Sequence, residues 1–405
     1  MGAMGGDGTA PAGAARQKGG RTMARPTAVH FGAGSVGRGF LGQLLSEAGY
    51  EVVFVDVQPD LLAALNERRS YPLRLVSAEG ERSLEVGPVR AVDGRDAEAV
   101  AAEVERAACV STAVGAGPLQ HIARPLAKGL GRRTEPVNLL ICENLPDPTG
   151  TVRDLLLSQG EAGLERALGE RIGLVPCVIS RMVPVPDPSL LRDPLEVIAE
   201  PFARLPADAR GIVGTPPPIP CLELKENFPA YVRLKLFVHN AGHAAAAYHG
   251  YGKGYTFIHE VMDNPEVCAE VEGVMREGCE ALRLAEGLDG MYLNDYSRDL
   301  LHRFRNPHLG DTVARVGRDP ARKLAPQDRL VGAANLALAQ GIDPVHLARA
   351  IAAALRFRPE GDPSASQVQS LIAEGGPLRV LRDLSGLPND HPLARLVLQA
   401  LNQDL

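Results

Sequence analysis

A lysine, an asparagine and a histidine lie close together in an otherwise apolar stretch, residues 233–250, which reads RLKLFVHNAGHAAAAYHG. At about 100° per residue of an α-helix, Asn240 lies roughly 140° and His243 roughly 80° around the axis from Lys235, so all three project within one arc. A lysine under apolar residues can serve as a general base near neutral pH, while an amide and an imidazole can hold a substrate oxygen. The alternative is that Lys235 extends to solvent and His243 is a hydrogen-bonded core histidine. Geometry does not decide, because His239 falls within the same arc.

A glycine-rich turn near the N-terminus is the second chemical signal, in TAVHFGAGSVGRGFLGQLLSEAGYEVVFVDV. The spacing predicts a strand, a sharp turn, a helix and a second strand that ends near Asp56, 19 residues after Gly37. Glycines let the backbone approach a pyrophosphate, a helix N-terminus supplies N–H groups, and a carboxylate takes ribose hydroxyls. The alternative is a tight turn beside a solvated Asp. We predict a dinucleotide site whose turn residues are Gly32, Gly34, Ser35, Val36 and Gly37.

The cofactor expected in this site is NAD rather than NADP. The Asp56 carboxylate repels a 2′-phosphate, and the three residues after it bring no arginine to neutralise one. Two further predicted strands, in AACVSTAVGAG and NLLICENL, end in small or polar residues. The carboxyl ends of strands in a doubly wound sheet face the ligand, although these positions could equally be ordinary strand-to-loop residues. The candidates are Thr112, Val114, Gly115 and Glu143 for the cofactor and Asn144 for the substrate.

The chain of 405 residues suits two domains. Strand-like runs give way to long helical patterns after about residue 216, and the proline-rich GTPPPIP, residues 214–220, is the natural boundary. We predict an α/β protein with a Rossmann-type doubly wound sheet in residues 24–215 and a mainly α-helical substrate and catalytic domain in residues 216–405. Residues 1–23 are rich in Gly and Ala and read as a disordered extension or cloning remnant.

Composition excludes several classes of protein. With 45% hydrophobic and 23% charged residues, the chain is typical of a soluble globular protein and offers no membrane span. A net charge of −6 gives no general attraction for nucleic acid. The six cysteines are scattered, without a C-x-x-C pair or a Cys/His grouping of zinc-site spacing. We therefore expect free thiols, no metal and a cytoplasmic location.

The sequence resembles the polyol-specific long-chain dehydrogenases, the mannitol dehydrogenase family, from about residue 27 to the C-terminus. The hallmark K-x4-N-x2-H motif reads here as Lys235, Asn240 and His243, and His239 falls on a variable position. The matching segments, in order, are HFGAGSVGRGFLGQLL, LNERRSY, TAVG, CEN, DPLEV, KLFVHNAGHAAAAY, RFRNPHLGDTVARVGRDPARKL and RFRPEGDPSA.

The resemblance is to the branch of the family that acts on a phosphorylated substrate. It implies NAD-dependent, metal-free interconversion of D-mannitol 1-phosphate and D-fructose 6-phosphate, and it favours a monomer. It assigns Lys235 as general base, Asn240 and His243 as holders of the reacting oxygen, and Asn144 as a residue that orients the substrate. One position departs from the family: where members have Asp-Arg in V-D-R-I-x-P, this chain reads VISRMVP, with Ser180 before Arg181.

A basic segment, TVARVGRDPARKL, is the expected phosphate site. The resemblance places Arg315 and Lys323 near the substrate, and Arg318 and Arg322 are additional cations in a loop with Gly and Pro. A dianion needs charge-assisted contacts, so we predict that this loop closes the phosphate end of the pocket. The alternative is a solvated basic loop.

Two other functions remain open. A dehydrogenase of an unphosphorylated polyol or a hexonate shares the lysine motif and differs in how the far end of the substrate is held. A non-catalytic NAD-binding sensor is the alternative from another class, although it has no reason to keep the three motif residues together.

Overall fold

A six-stranded parallel sheet is the centre of the N-terminal part in the computed structural model, which describes residues 25–184 and 188–403. The predicted extension, residues 1–23, lies outside the described residues. The strands are β1 Thr27–Phe31, β2 Glu51–Asp56, β3 Tyr71–Ser77, β4 Gly80–Val86, β5 Val89–Asp93, β6 Cys109–Thr112, β7 Val137–Ile141, β8 Ile172–Pro176, β9 Val197–Ala199, β10 Leu205–Asp208 and β11 Leu222–Lys225.

The strand order of this sheet, β5-β2-β1-β6-β7-β8, confirms the predicted Rossmann-type topology. The central strands are buried on both faces, which explains why they read as continuous apolar runs rather than alternating ones. The order reverses between β1 and β6, and ligands of such sheets bind outside the carboxyl ends of the strands at that point. The connecting helices are α1 Gly42–Glu47, α2 Pro59–Arg68, α3 Ala97–Arg106, α4 Ala116–Gly131, α5 Pro148–Leu157 and α6 Leu164–Ala167.

Two small sheets flank the large one. Strand β3 pairs antiparallel with β4 and parallel with β9, and β10 pairs parallel with β11. Strand β11 lies beyond residue 216, so the last strand comes later in the chain than the change of pattern suggests. The domain boundary at residues 215 and 216 stays a prediction.

The C-terminal part is helical, as predicted. Helix α8 is apolar on every side because it lies at the centre, packed by α10, α12 and α15, and its alanines allow these neighbours to approach closely. The helices are α7 Phe228–Leu234, α8 Ala241–Gly252, α9 Ile258–Asp263, α10 Pro265–Glu286, α11 Gly290–Phe304, α12 Val313–Gly317, α13 Pro320–Lys323, α14 Val331–Ala339, α15 Val345–Leu355, α16 Pro363–Asp383 and α17 Pro392–Leu401.

Helix α11 fastens the helical part to the sheet part. Arg303 donates two hydrogen bonds to the carboxylate of Glu200, at 2.5 and 2.8 Å, and a third to the carbonyl oxygen of Ser180 at 2.6 Å. All three residues are buried, so this charged contact is shielded from solvent. Within the described residues, no helix is both long enough and apolar enough to cross a membrane.

Candidate active site

The glycine turn after β1 requires residues without a side chain at two positions. Gly32 has a φ of 100°, in the left-handed region, and a Cβ there would lie 2.7 Å from the carbonyl oxygen of Ala113. At Gly37 a Cβ would overlap the carbonyl oxygen of Gly32. A short π-helical segment, Gly37–Leu41, follows directly and leads into α1. We call it the first π turn.

The carboxylate of Asp56 joins the end of β2 to the glycine turn. Its Oδ2 accepts a hydrogen bond from the N–H of Ala33 at 2.8 Å, and its Oδ1 accepts bonds from the N–H groups of Val57 at 2.7 Å and Gln58 at 3.2 Å. These contacts hold the carboxylate at the carboxyl end of β2, beside the turn. A 2′-phosphate placed there would meet a fixed negative charge.

Glu143, just after β7, holds the chain that follows the neighbouring strand β6. Its two carboxylate oxygens accept hydrogen bonds from the N–H groups of Val114 at 2.9 Å and Gly115 at 2.8 Å, and the side chain is buried. Thr112, just before them, is fully buried, and its hydroxyl has no hydrogen-bond partner in the described part of the chain. The structure thus brings the predicted positions of β6 and β7 together at one edge of the sheet.

A cavity of about 640 Å³ lies between the two parts of the molecule. This is a usual size for a ligand pocket. Among the predicted residues that line it are Val36, Gly115, Glu143, Asn144 and Lys235.

Lys235 is the chemical centre of this cavity. Its half-buried side chain donates a hydrogen bond from Nζ to Oδ1 of Asn144 at 3.4 Å, so a residue of the sheet part meets one of the helical part. Burial, and then the positive charge of Arg329, lower the pKa of Lys235 from 10.5 to about 8. Near neutral pH the amine can therefore lose and regain a proton readily, as a general acid and base must.

Lys235 begins a second π-helical segment, Lys235–Asn240, between α7 and α8. We call it the second π turn. The separation of roughly 140° between Lys235 and Asn240 assumed 3.6 residues per turn, and that assumption is wrong here. A π turn is wider, so five residues come closer to one full turn and Asn240 lies nearer the Lys235 side. Apolar periodicity carries no sign of such a turn.

His243 lies on the first part of α8 and is backed by two groups. Its ring stacks on Phe304 at 4.7 Å between centroids, and its Nε2 is 3.3 Å from Oδ2 of Asp311. Burial raises the pKa of Asp311, but His243 and the charge of Arg315 outweigh it and lower that pKa below its usual value. Asp311 was not identified from the sequence, although it lies in the matching segment RFRNPHLGDTVARVG. Neither Asn240 nor His243 lines the 640 Å³ cavity.

The cations of the predicted phosphate loop have different partners. Arg315 is paired with Asp311, and Arg322 donates to Asp319 at 2.7 Å. Lys323 is buried, and its Nζ donates to the carbonyl oxygen of Arg318. The Arg318 side chain is exposed. None of these four cations lines the 640 Å³ cavity.

Two arginines near the site, the buried Arg181 and the half-buried Arg329, were not among the predicted site residues. Arg181 lines the cavity, and its Nη1 donates to the carbonyl oxygen of Gly39 at 2.9 Å and to Gln43 at 2.8 Å. Arg329 lies just after the basic loop, and its Nε donates to Asp328 at 2.7 Å. No apolar pattern distinguishes such arginines from surface ones, although Arg181 lies in the family segment that reads VISRMVP here.

No three His, Cys, Asp or Glu side chains gather as metal ligands in residues 25–184 and 188–403. The six cysteines are free thiols. Metal-free chemistry itself stays a prediction.

The fold and the site together define a two-domain long-chain dehydrogenase. The family model described as mannitol dehydrogenase Rossmann domain matches residues 26–220, and the one described as mannitol dehydrogenase C-terminal domain matches residues 227–389. The chain belongs to the mannitol dehydrogenase family.

Curated relatives cover nearly the whole chain. The mannitol-1-phosphate 5-dehydrogenase of Bacillus subtilis (strain 168) is 37% identical over 379 residues, which are 93% of this chain and 100% of that protein. The enzyme of the same name from Shouchella clausii (strain KSM-K16) is 38% identical over 373 residues, 91% of this chain and 99% of that one.

Two solved structures share the fold. The Pseudomonas fluorescens mannitol 2-dehydrogenase, in a ternary complex with NAD and D-mannitol, has a TM-score of 0.74 at 19% identity, covering 94% of this chain and 92% of that one. A substrate-free D-sorbitol dehydrogenase has a TM-score of 0.79 at 18% identity, covering 93% of each chain.

Proposed function

We propose that this protein is a cytoplasmic, NAD-dependent mannitol-1-phosphate 5-dehydrogenase that interconverts D-mannitol 1-phosphate and D-fructose 6-phosphate. The observation that carries the proposal is the contact of Lys235, a lysine with a lowered pKa, with Asn144 on the wall of a cavity next to a dinucleotide-binding turn. The names of the curated relatives supply the substrate. A monomer stays our expectation.

The residues around the glycine turn fit NAD. Gly34 has open space beside it, so a pyrophosphate can approach the backbone there, and the fixed carboxylate of Asp56 suits ribose hydroxyls. When bound, NAD supplies the acceptor or donor of the hydride. Val36, Gly115 and Glu143 line the same cavity as Lys235, which supports a cofactor bound beside the catalytic lysine.

In oxidation, neutral Lys235 takes the proton of the C5 hydroxyl of mannitol 1-phosphate at its Nζ, and the carbon becomes C2 of fructose 6-phosphate. Reduction reverses the roles, and protonated Lys235 returns the proton. Asn144 orients the lysine and the substrate oxygen through its amide. Asn240 and His243 stabilise charge on that oxygen, with the His243 ring held by Phe304 and Asp311.

The basic loop with Arg315, Arg318, Arg322 and Lys323 is proposed to form the phosphate end of the substrate site. In support, Arg318 is exposed, and the buried Lys323 donates from Nζ to the carbonyl oxygen of Arg318, so the two residues lie next to each other. This proposal predicts that raised salt weakens fructose 6-phosphate more than fructose.

A turnover assay with NADH tests the proposal. We expect fructose 6-phosphate to be reduced at least about 10³-fold better than fructose in kcat/KM, equivalent to about 4 kcal/mol of transition-state stabilisation. Equal use of the two sugars would assign the protein to the unphosphorylated-polyol branch. If the protein binds NADH but turns over no polyol, hexonate or sugar phosphate, the result would favour the alternative of a non-catalytic NAD-binding sensor.

A further inference from the structure

Lys235, Lys323 and Arg329 form a cluster of cations beside the second π turn. Lys323 is 4% exposed and the side chain of Arg329 is 12% exposed. The segment that carries Arg329 packs directly on the π turn, because a Cβ on Gly332 would lie 3.0 Å from the ring of Phe237 and 2.9 Å from the backbone of Gln327. Burial is the larger cause that lowers the pKa of Lys235 and of Lys323, and the positive charge of Arg329 lowers both further. The pKa of Lys323 falls to about 7.

Carboxylates around this cluster do not balance its charge. Asp328 accepts a hydrogen bond from Arg329, while its other oxygen lies 3.6 Å from Arg322. Asp319 is paired with the same Arg322 at 2.7 Å. The two carboxylates are therefore shared among the cations, and no carboxylate pairs with either Lys235 or Lys323 within the described residues. Like charges brought together under partial burial favour the binding of an anion.

Arg329 has the donors that such an anion needs. Only its Nε is engaged, by Asp328, and its Nη1 and Nη2 make no hydrogen bond within residues 25–184 and 188–403. The two terminal nitrogens of a guanidinium match two oxygens of a phosphoryl group. By contrast, a terminal nitrogen of Arg315 already donates to Asp311, and a terminal nitrogen of Arg322 lies 3.6 Å from a carboxylate oxygen of Asp328.

We infer that the free Nη groups of Arg329 bind the phosphoryl group of the substrate beside Lys323, which makes Arg329 a specificity-determining residue of this enzyme. The inference rests on the function proposed above and names the residue that separates a phosphorylated from an unphosphorylated substrate. Arg329 follows Lys323, the last cation of the predicted basic loop, by six residues, so that loop supplies part of the site and the next segment supplies its anchor.

The same charge acts on Lys235 before substrate binds. Arg329 itself does not line the 640 Å³ cavity, and the charged groups that do, apart from Lys235, have partners. Glu143 accepts two backbone N–H groups, and Asp147 accepts that of Gly150. Arg233 is paired with Glu286 and Arg210 with Asp208, and Arg181 donates to Gly39 and Gln43. His239 is buried, which lowers its pKa well below the usual value and keeps it neutral. Removing the positive charge of Arg329 therefore raises the pKa of Lys235, and oxidation, which needs the neutral amine, requires a higher pH.

The test compares Arg329→Gln with Arg349→Gln, because Arg349 is a partly buried arginine that is paired with Glu270 and does not line the cavity. For Arg329→Gln we expect kcat/KM for fructose 6-phosphate to fall about 100-fold while that for fructose changes less than about threefold, because charge-assisted hydrogen bonds to the phosphate are lost. The pH profile of oxidation should also move upward, and Arg329→Lys should recover part of the phosphate preference. An equal loss for both sugars, or none for fructose 6-phosphate, overturns the inference.

Equilibrium binding separates this inference from the proposed function. Calorimetry with inorganic phosphate should show binding to the unmodified protein that Arg329→Gln loses and Arg349→Gln keeps. If the unmodified protein fails to reduce fructose 6-phosphate, the proposed function fails, while Arg329-dependent phosphate binding still supports the anion site. Phosphate binding that is unchanged in Arg329→Gln overturns it. Should Arg329→Gln not fold, as judged by its thermal transition, Arg329→Lys carries the same comparison, and unchanged phosphate affinity and sugar preference in that variant overturn it.

Discussion

The two π turns of the described chain are Gly37–Leu41 in the sheet part and Lys235–Asn240 in the helical part, and they differ in what they present to the candidate site. The first follows a turn whose glycines bring backbone atoms close together, so it offers N–H groups and space. The second is made of larger residues and offers a lysine whose pKa depends on its surroundings. One half of the site is therefore defined by backbone geometry and the other by buried charge.

The difference teaches where substitutions should act. In the cofactor half, the glycine turn needs positions without a Cβ atom, so adding a methyl group there is the damaging change. In the catalytic half, function depends on one amine and on the charges around it, and removing a group is the damaging change. Substitutions in the cofactor half should therefore raise the Kd for NADH, whereas substitutions in the catalytic half should lower turnover.

The largest effect is expected for Lys235→Ala. Turnover with fructose 6-phosphate should fall about 10²–10⁴-fold, the usual contribution of a general base, while the Kd for NADH stays within about twofold because the glycine turn is untouched. Steady-state kinetics and a fluorescence titration with NADH measure the two quantities. A loss of turnover of less than tenfold would contradict the assignment of Lys235 as the general base. EDTA should change neither quantity.

Gly37→Ala should break the other half. The new Cβ would overlap the carbonyl oxygen of Gly32, so the turn must move away from the position that a pyrophosphate needs. We expect the Kd for NADH to rise about 30-fold, with kcat at saturating NADH reduced much less. Gly252→Ala, at the exposed end of α8, is the matched control, because a Cβ there meets no protein atom and lies outside the glycine turn. An unchanged affinity in Gly37→Ala would contradict the geometric account of this turn.

The pH dependence tests the charge half without any substitution. The pKa of Lys235 is lowered to about 8, and oxidation needs the neutral amine, so kcat/KM for mannitol 1-phosphate should rise about tenfold per pH unit up to about 8 and then level off. Reduction needs the protonated amine and should decline above the same pH. A profile that keeps rising to pH 10 would show that the environment leaves Lys235 unshifted.

The smallest effect is expected for Asp56→Ala. The unmodified protein should prefer NADH to NADPH because the fixed carboxylate repels a 2′-phosphate. The substitution removes that repulsion and also the hydrogen bond to Ala33, so the preference should shrink by about tenfold while NADH itself binds somewhat more weakly. The ratio of kcat/KM values for the two cofactors is the measurement. If this ratio does not narrow in Asp56→Ala, the preference for NADH does not come from the Asp56 carboxylate.

Much of the cofactor half was predictable because its signals are local. The strand, the glycine turn, the helix and Asp56 follow one another within thirty residues, and each element needs the next to bury its apolar face. The catalytic half was less predictable from the pattern, where His239 and His243 could not be separated until the family motif was considered. The hydrogen bond between Lys235 and Asn144 joins residues 91 positions apart, and Asp311 and Arg329 approach the site from later segments still.

The sequence by itself determined the fold class, the place of the dinucleotide turn and the identity of the motif residues, since these depend on residue types at short, regular spacings. Only the tertiary structure showed that Lys235 begins a π turn and that Asp311 lies beside the His243 ring. It also showed that the charge of Arg329 lowers the pKa of two lysines. The physical reason is that a pKa and a hydrogen-bond partner depend on which distant groups come together under burial. A sequence pattern records what each segment buries, whereas the packing of segments determines the charges that each side chain meets.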